Sequence, residues 1–100
     1  MRVVAIVPAY NEEERLASTL QAIQEIPEID LVRVVNDGST DRTLSVAQEA
    51  GVEVVNLTSN VGKGEALNIG VRGVLADVFL FLDADLGETA REAAKILMPV

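Results

Sequence analysis

Four short apolar runs punctuate the chain: Val3 to Val7, Leu31 to Val35, Val52 to Leu57 and Val78 to Leu82. Each is too short for a helix and rich in β-branched or aromatic residues, the signature of strands. Their near-continuous hydrophobicity implies cover on both faces. The stretches between them carry stripes at helical spacing. Leu16, Leu20 and Ile23 mark a first helix, with Asn11 as its cap, Glu12, Glu13 and Glu14 at its positive end, and Ile26 before Pro27 as its stop. A second helix opens at Ser39 to Asp41, carries Leu44 and Ala47, and stops at Ala50 and Gly51. A third follows Gly62 to Gly64 with Leu67, Val71 and Val74 inward, while Gly70 and Gly73 weaken it and allow close packing. A fourth starts near Thr89, where Thr89 and Glu92 have capping-box spacing and Ala90, Ala93, Ala94 and Leu97 face the core.

Strand and helix alternate throughout, so right-handed crossovers predict an α/β fold: a mostly parallel sheet with helices on both faces. In such a sheet ligands bind beyond the carboxyl ends of the strands. Polar or glycine-rich clusters follow every apolar run. They are Pro8 to Glu12, Asn36 to Asp41, Thr58 to Gly64, and Asp83, Ala84 and Asp85. The last is the most telling. Two carboxylates at the junction of a buried strand with solvent repel each other, and a divalent cation beside them relieves that repulsion. Asp37 offers an acceptor to a ring N–H or sugar hydroxyls, next to a helix start that aims N–H groups into the rim. Tyr10 either stacks on a base or packs over the core. Lys63 either reaches a phosphate or base edge, or solvates a helix start. Arg33 stands unexplained in mid-strand.

Composition narrows the chemistry. One hundred residues, 49% of them apolar, suffice for one modest core. Sixteen acidic against eight basic residues, a net charge of −8, argue against nucleic-acid or anionic-membrane partners, so a phosphate ligand would need a metal or backbone N–H groups. The chain has neither cysteine nor histidine, which removes disulfides, thiolate chemistry and the commonest general base. A short, proline-broken N-terminal run is neither a signal peptide nor a membrane span, and the expected location is cytoplasmic. Gly62, Lys63 and Gly64 do not complete a P-loop, because Leu57 stands at the first glycine position and Gly64 at the hydroxyl position.

The segments Pro8-Ala9-Tyr10-Asn11-Glu12-Glu13, Val35 to Asp41, Asn60 to Gly64 with Ala66-Leu67-Asn68, and Phe81-Leu82-Asp83-Ala84-Asp85 together resemble glycosyltransferase family 2, over nearly the whole chain and in order. That resemblance implies the N-terminal, nucleotide-sugar-binding part of a Rossmann-like GT-A fold. It implies transfer of a sugar from a nucleotide-diphospho-sugar, a UDP- or GDP-sugar, to an acceptor, metal-assisted and inverting. Pro8, Ala9, Tyr10 and Glu12 would line the nucleotide pocket, Asp37 would contact base or ribose, and Gly62 and Lys63 would close over the nucleoside. Asp83 and Ala84 would touch the donor, and Asp83 and Asp85, as the DxD pair, would hold Mg²⁺ or Mn²⁺. Leu86, Gly87, Glu88 and Thr89 depart from the Leu-Gln and proline step of polyprenyl-phosphate sugar transferases, which argues against a lipid-phosphate acceptor.

The end of the chain at Met98, Pro99 and Val100, just after a helix, leads us to expect a truncated domain. Its catalytic base would lie beyond Val100, the fragment alone would be inactive, and exposed apolar surface would favour a homo-oligomer. Two alternatives remain. A sugar nucleotidyltransferase would carry an early glycine-rich loop where Pro8 to Asn11 stands. A non-catalytic nucleotide-sensing α/β module of the receiver type would place an acidic pair after the first strand and an Asp after the third.

Overall fold

The structure is a computed structural model, and residues 1–99 are described. Four parallel strands, β1 (Val3–Ala9), β2 (Leu31–Asp37), β3 (Glu53–Leu57) and β4 (Val78–Phe81), form one sheet in the order β3-β2-β1-β4. Helices α1 (Leu16–Gln24), α2 (Thr43–Glu49), α3 (Lys63–Gly70) and α4 (Ala90–Leu97) alternate with them, and a 3₁₀ turn at Gly87–Thr89 leads into α4. The α/β architecture expected from the alternation is therefore present.

Successive odd and even residues of β1 enter different cores, as strand geometry requires. Val3, Ala5, Val7 and Ala9 pack with Leu16, Leu20 and Ile23 of α1, Ala47 of α2, and Ala90 and Ala94 of α4. Val4 and Ile6 pack on the other face with Val35 and with Ala66 of α3. Thus α1, α2 and α4 cover one face and α3 the other. The change of side accompanies the reversal in strand order: the chain moves outward from β1 through β2 to β3, then α3 carries it back to β4 beside β1.

Cover on both faces holds for β1 and β2 but not for the sheet edges. β3 has no fully buried residue, and Phe81 of β4 is 48% exposed. Arg33 finds its explanation at the β3 edge. It pairs with Glu53, which stands opposite it in register, and donates to the carbonyls of Gly70 and Arg72, both at 2.9 Å. The guanidinium thus satisfies the last carbonyl of α3 and one in the turn that follows it. Gly70 meets its expected role, since a Cβ there would lie 2.7 Å from Ile6 and 2.9 Å from Val35. Gly73 instead occupies an open turn at φ +73°.

The helix starts differ from the expected ones. Asn11 does not cap α1. It sits at φ +52° and bridges to the β2–α2 loop, its Oδ1 accepting from Thr40 N at 2.8 Å and its own N–H donating to the Ser39 hydroxyl oxygen at 3.0 Å. Glu12 to Glu14 therefore form a turn ahead of α1, in which the Glu12 carbonyl accepts from Arg15 and Leu16. Likewise α2 begins at Thr43, whose N–H is held by Asp41 at 2.9 Å. Before α4 no capping box closes; Thr89 donates to the Leu86 carbonyl instead, and Leu97 is 52% exposed rather than inward. No described helix is long and apolar enough to cross a membrane.

Candidate functional site

Ladder pairing between β1 and β4 ends at Ile6 opposite Phe81, with one further bond from Leu82 N to Ile6 O. Ile6 and Pro8 present their backbone to the same neighbour, and Pro8 has no N–H to donate. The strands part at that point, so Asp83 and the residues after Pro8 become the walls of a cleft. It lies at the switch in strand order, where ligands of open α/β sheets bind. The cleft encloses about 410 Å³.

Every residue expected at the site lines this cleft. The β1 end contributes Pro8, Ala9, Tyr10 and Glu12, and β2 contributes Asp37. The segment leading into α3 adds Gly62 and Lys63, and β4 is followed by Asp83, Ala84 and Asp85. Tyr10 is 47% exposed at the rim, so it does not pack over the core. Lys63 pairs with Asp83 across the cleft, a third arrangement beyond the two its position suggested.

Asp37 is only 3% exposed, and its carboxylate organises the loop opposite. Val61 N donates to Oδ1 at 2.8 Å and Gly62 N to Oδ2 at 3.1 Å, while Asn60 Nδ2 reaches Oδ2 and the Asp37 carbonyl, both at 3.2 Å. Lone-pair capacity remains for a ligand donor, because a carboxylate offers about four acceptor sites. Gly38 makes the approach possible: at φ +71° its Cβ position lies 2.5 Å from both Asn60 N and Ser59 C. The N–H groups expected to point into the rim near Ser39 are not free. Thr40 N is taken by Asn11, Arg42 N by Glu13 at 3.3 Å, and Thr43 N by Asp41.

The other wall carries three carboxylates, Glu12, Asp83 and Asp85, and Lys63 pairs with Asp83 alone. Glu12 Oε2 is buried without a hydrogen-bond partner. Burial, followed by the charge of Asp85, pushes the Glu12 carboxyl above its ordinary value of 4.5; Asp41 and Asp83 add to this and Arg15 opposes it. Asp41 moves the other way. Burial raises it, but bonds from the Thr43 hydroxyl, Thr43 N and Glu13 N together outweigh burial and leave it below 3.8.

Among the described residues no group of three or more acidic side chains is gathered closely enough to form a self-sufficient metal cage. Two carboxylates on one rim, beside a partnerless carboxylate oxygen, nevertheless suit Mg²⁺ or Mn²⁺, because such ions are commonly held by one or two carboxylates with substrate phosphates supplying the rest. Sequence reasoning missed two residues that shape the site. Asn60, in the expected loop but not singled out, lines the cleft and braces Asp37. Thr19, a fully buried hydroxyl in the apolar stripe of α1, bonds to the Ala84 carbonyl; a polar residue at a core position was its only signal.

The profile of Glycosyl transferase family 2 matches residues 4–92. A 4,4'-diaponeurosporenoate glycosyltransferase of Staphylococcus aureus is 36% identical over 100 residues, covering 93% of this chain and 26% of that protein. Glucosyl-3-phosphoglycerate synthase from Mycobacterium tuberculosis, solved with Mn²⁺ and UDP-glucose, superposes with a TM-score of 0.78 at 30% identity, over 87% of this chain and 34% of that one. S. aureus TarS, residues 1–349, gives 0.77 at 28% identity over 96% and 32%. The chain thus spans about a quarter of the length of the curated relatives it matches (23% and 26%). With a sequence match over most of its length and the same parallel sheet, this chain belongs to glycosyltransferase family 2.

Proposed function

We propose that this chain binds the nucleotide-diphospho-sugar donor of a glycosyltransferase. The observation that supports this best is the convergence of all four strand-end clusters on one cleft at the switch in strand order. The neighbours point the same way, since the mycobacterial synthase was solved with UDP, with Mn²⁺ and UDP-glucose, and with Mg²⁺ and UDP. A UDP-sugar is accordingly the first donor to test, ahead of a GDP-sugar. One relative is named for diaponeurosporenoate and another for phosphoglycerate, so this reading is confined to the donor and assigns no acceptor.

In this reading Tyr10 offers its exposed face to the base, and Asp37 presents its remaining lone pairs to a base N–H or ribose hydroxyl. Lys63 can turn from Asp83 towards a phosphate. Asp83 and Asp85 would hold Mg²⁺ or Mn²⁺, which when bound offsets negative charge on the departing nucleoside diphosphate. Glu12 adds a third negative charge nearby and strengthens the preference for a cation. Displacement of the diphosphate by an acceptor hydroxyl in one step would invert the anomeric centre. The cysteine-free chain accords with a cytoplasmic setting.

Calorimetric titration with UDP and GDP, each with and without Mn²⁺, tests the reading. Metal-dependent binding of UDP is expected. A folded sample that binds neither nucleotide under either condition would count against it.

A further inference from the structure

We infer that Thr19 is a positioning residue for the Asp83-Ala84-Asp85 step. This rests on the donor-site reading and extends it to a side chain outside the cleft. Thr19 lies in α1, with no exposed surface, on the stripe that carries Leu16, Leu20 and Ile23. A threonine inside a helix commonly returns its hydroxyl to the carbonyl four residues back. Thr19 does approach the Arg15 carbonyl at 2.9 Å, but its oxygen lies nearer the Ala84 carbonyl, at 2.7 Å, and accepts from Gly87 N at 2.8 Å.

One hydroxyl therefore grips the loop after β4 at two points on either side of Asp85. The Ala84 carbonyl precedes the Asp85 peptide and the Gly87 N–H follows it by two residues. Both grips are backbone groups, so they fix the path of the chain whatever the side chains are doing. Ala84 itself is buried and Ala90 packs fully on the core, which seats the loop from both ends. Between Ala84 and Ala90 no strand pairing holds the chain, and the 3₁₀ turn at Gly87–Thr89 is its regular structure. Orientation of the two carboxylates towards a common cation depends on that path. The rigid partner is α1, anchored under β1, and Thr19 transmits its position to the loop.

The test uses the full chain with Thr19→Val, which keeps the shape and removes the hydroxyl, and Thr19→Ser, which keeps the hydroxyl and removes the methyl. Hydrogen exchange without ligand is read at Gly87 and at buried β1 amides, and titrations with UDP are run with and without Mn²⁺. In Thr19→Val, Gly87 exchange should accelerate about tenfold more than the β1 amides, and affinity for UDP with Mn²⁺ should fall about tenfold while metal-free affinity stays within about twofold. Thr19→Ser should lose global stability through its missing methyl yet retain Gly87 protection and metal-dependent affinity. Should Thr19→Val not fold, Thr19→Ala carries the same comparison.

Unchanged Gly87 protection in the hydroxyl-free variant overturns the inference, as does an equal loss of affinity with and without metal, or a serine variant no better than valine. If the wild-type chain itself binds no nucleotide, the donor-site reading falls separately, and Gly87 exchange still decides whether Thr19 holds the loop.

Discussion

The two walls of the cleft are held by opposite physics. On the β2–β3 side, Asp37 receives two backbone N–H groups and the Asn60 amide, and Gly38 lets that loop close against it. On the β1–β4 side, Glu12, Asp83 and Asp85 line the cleft together, the charges of Asp85 and Asp83 bear on Glu12, one Glu12 oxygen has no partner, and Asp83 engages Lys63. The first wall is ordered without a ligand because donors of the same chain already hold its carboxylate, with acceptor capacity left over. The second gains most from a cation brought by the ligand. Preorganisation suits recognition of a fixed, planar group, whereas relief of repulsion suits a charged one.

The largest expected effect breaks the first wall. Gly38→Ala puts a Cβ into the Asn60 and Ser59 backbone at a left-handed φ, and should lower unfolding stability by about 3 kcal/mol or more. Gly51→Ala is the control, since Gly51 has a similar φ of +76° but open space around it, and should lose only about 1 kcal/mol. Urea unfolding of both separates conformational strain from the close approach. Equal losses would mean that the loop yields and that the wall is not rigid.

Next in size is a paired substitution that sets one wall against the other. Asp37→Asn should lose about 1–3 kcal/mol of stability, because an amide NH₂ replaces an acceptor facing backbone N–H groups. Asp85→Asn should leave stability unchanged or raised by relieving repulsion, while metal-dependent nucleotide affinity falls about tenfold or more. Thermal unfolding and calorimetry on the same samples read both quantities. A destabilised Asp85→Asn with intact metal dependence would reverse the assignment of the walls.

This contrast was only half legible in the sequence. The strand-end clusters could be read because a buried parallel strand must become polar where it leaves the sheet, so Asp37 and Asp83 to Asp85 announce themselves. Burial on both faces was legible at β1, whose run is unbroken, but was over-extended to β3 and β4, because an edge strand can be as apolar as a central one. Helix starts were misplaced for a tertiary reason. Asn11 has the chemistry of a cap yet spends its oxygen on Thr40 of another loop, whereas Asp41 does hold the first N–H of α2 through one oxygen while the other accepts from Glu13 N. Whether a side chain caps its own helix or bridges to another loop depends on which loops meet, and local spacing carries no record of that. Thr19 was hidden for the same reason: its partners, Ala84 and Gly87, are distant in sequence.

A subtler contrast, in the response to pH, lies between Glu12 on the second wall and Asp41 just outside the cleft beside it. The folded-state value of Glu12 is raised, so the stability associated with it is fully present below 4.5 and lost as pH rises through the raised value. Glu12→Gln should therefore be more stable than wild type at neutral pH, with the difference vanishing in acid. Asp41 has the opposite sign: its depressed value gives stability present above 3.8 and lost as pH falls through the depressed value. Asp41→Asn should be less stable than wild type at neutral pH. Melting temperatures of the two variants from pH 3 to 8 should diverge in opposite directions. Parallel curves would erase the distinction.

The smallest effect belongs to the contact that joins the walls. Lys63 and Asp83 are 62% and 52% exposed, so their ion pair should contribute less than about 1 kcal/mol, and Lys63→Met should unfold close to wild type. Its consequence lies in competition. In the free protein the ammonium occupies the carboxylate that a divalent cation would use, so removing it should tighten Mn²⁺ binding in the absence of nucleotide by about two- to threefold at low salt. The same substitution should weaken UDP binding, because a cation near the diphosphate is lost. Opposite changes for metal alone and nucleotide alone identify Lys63 as the group that leaves Asp83 when the ligand arrives. If Lys63→Met weakens both, the lysine instead orders Asp83 for the metal, and the unrelieved wall begins with Glu12 and Asp85.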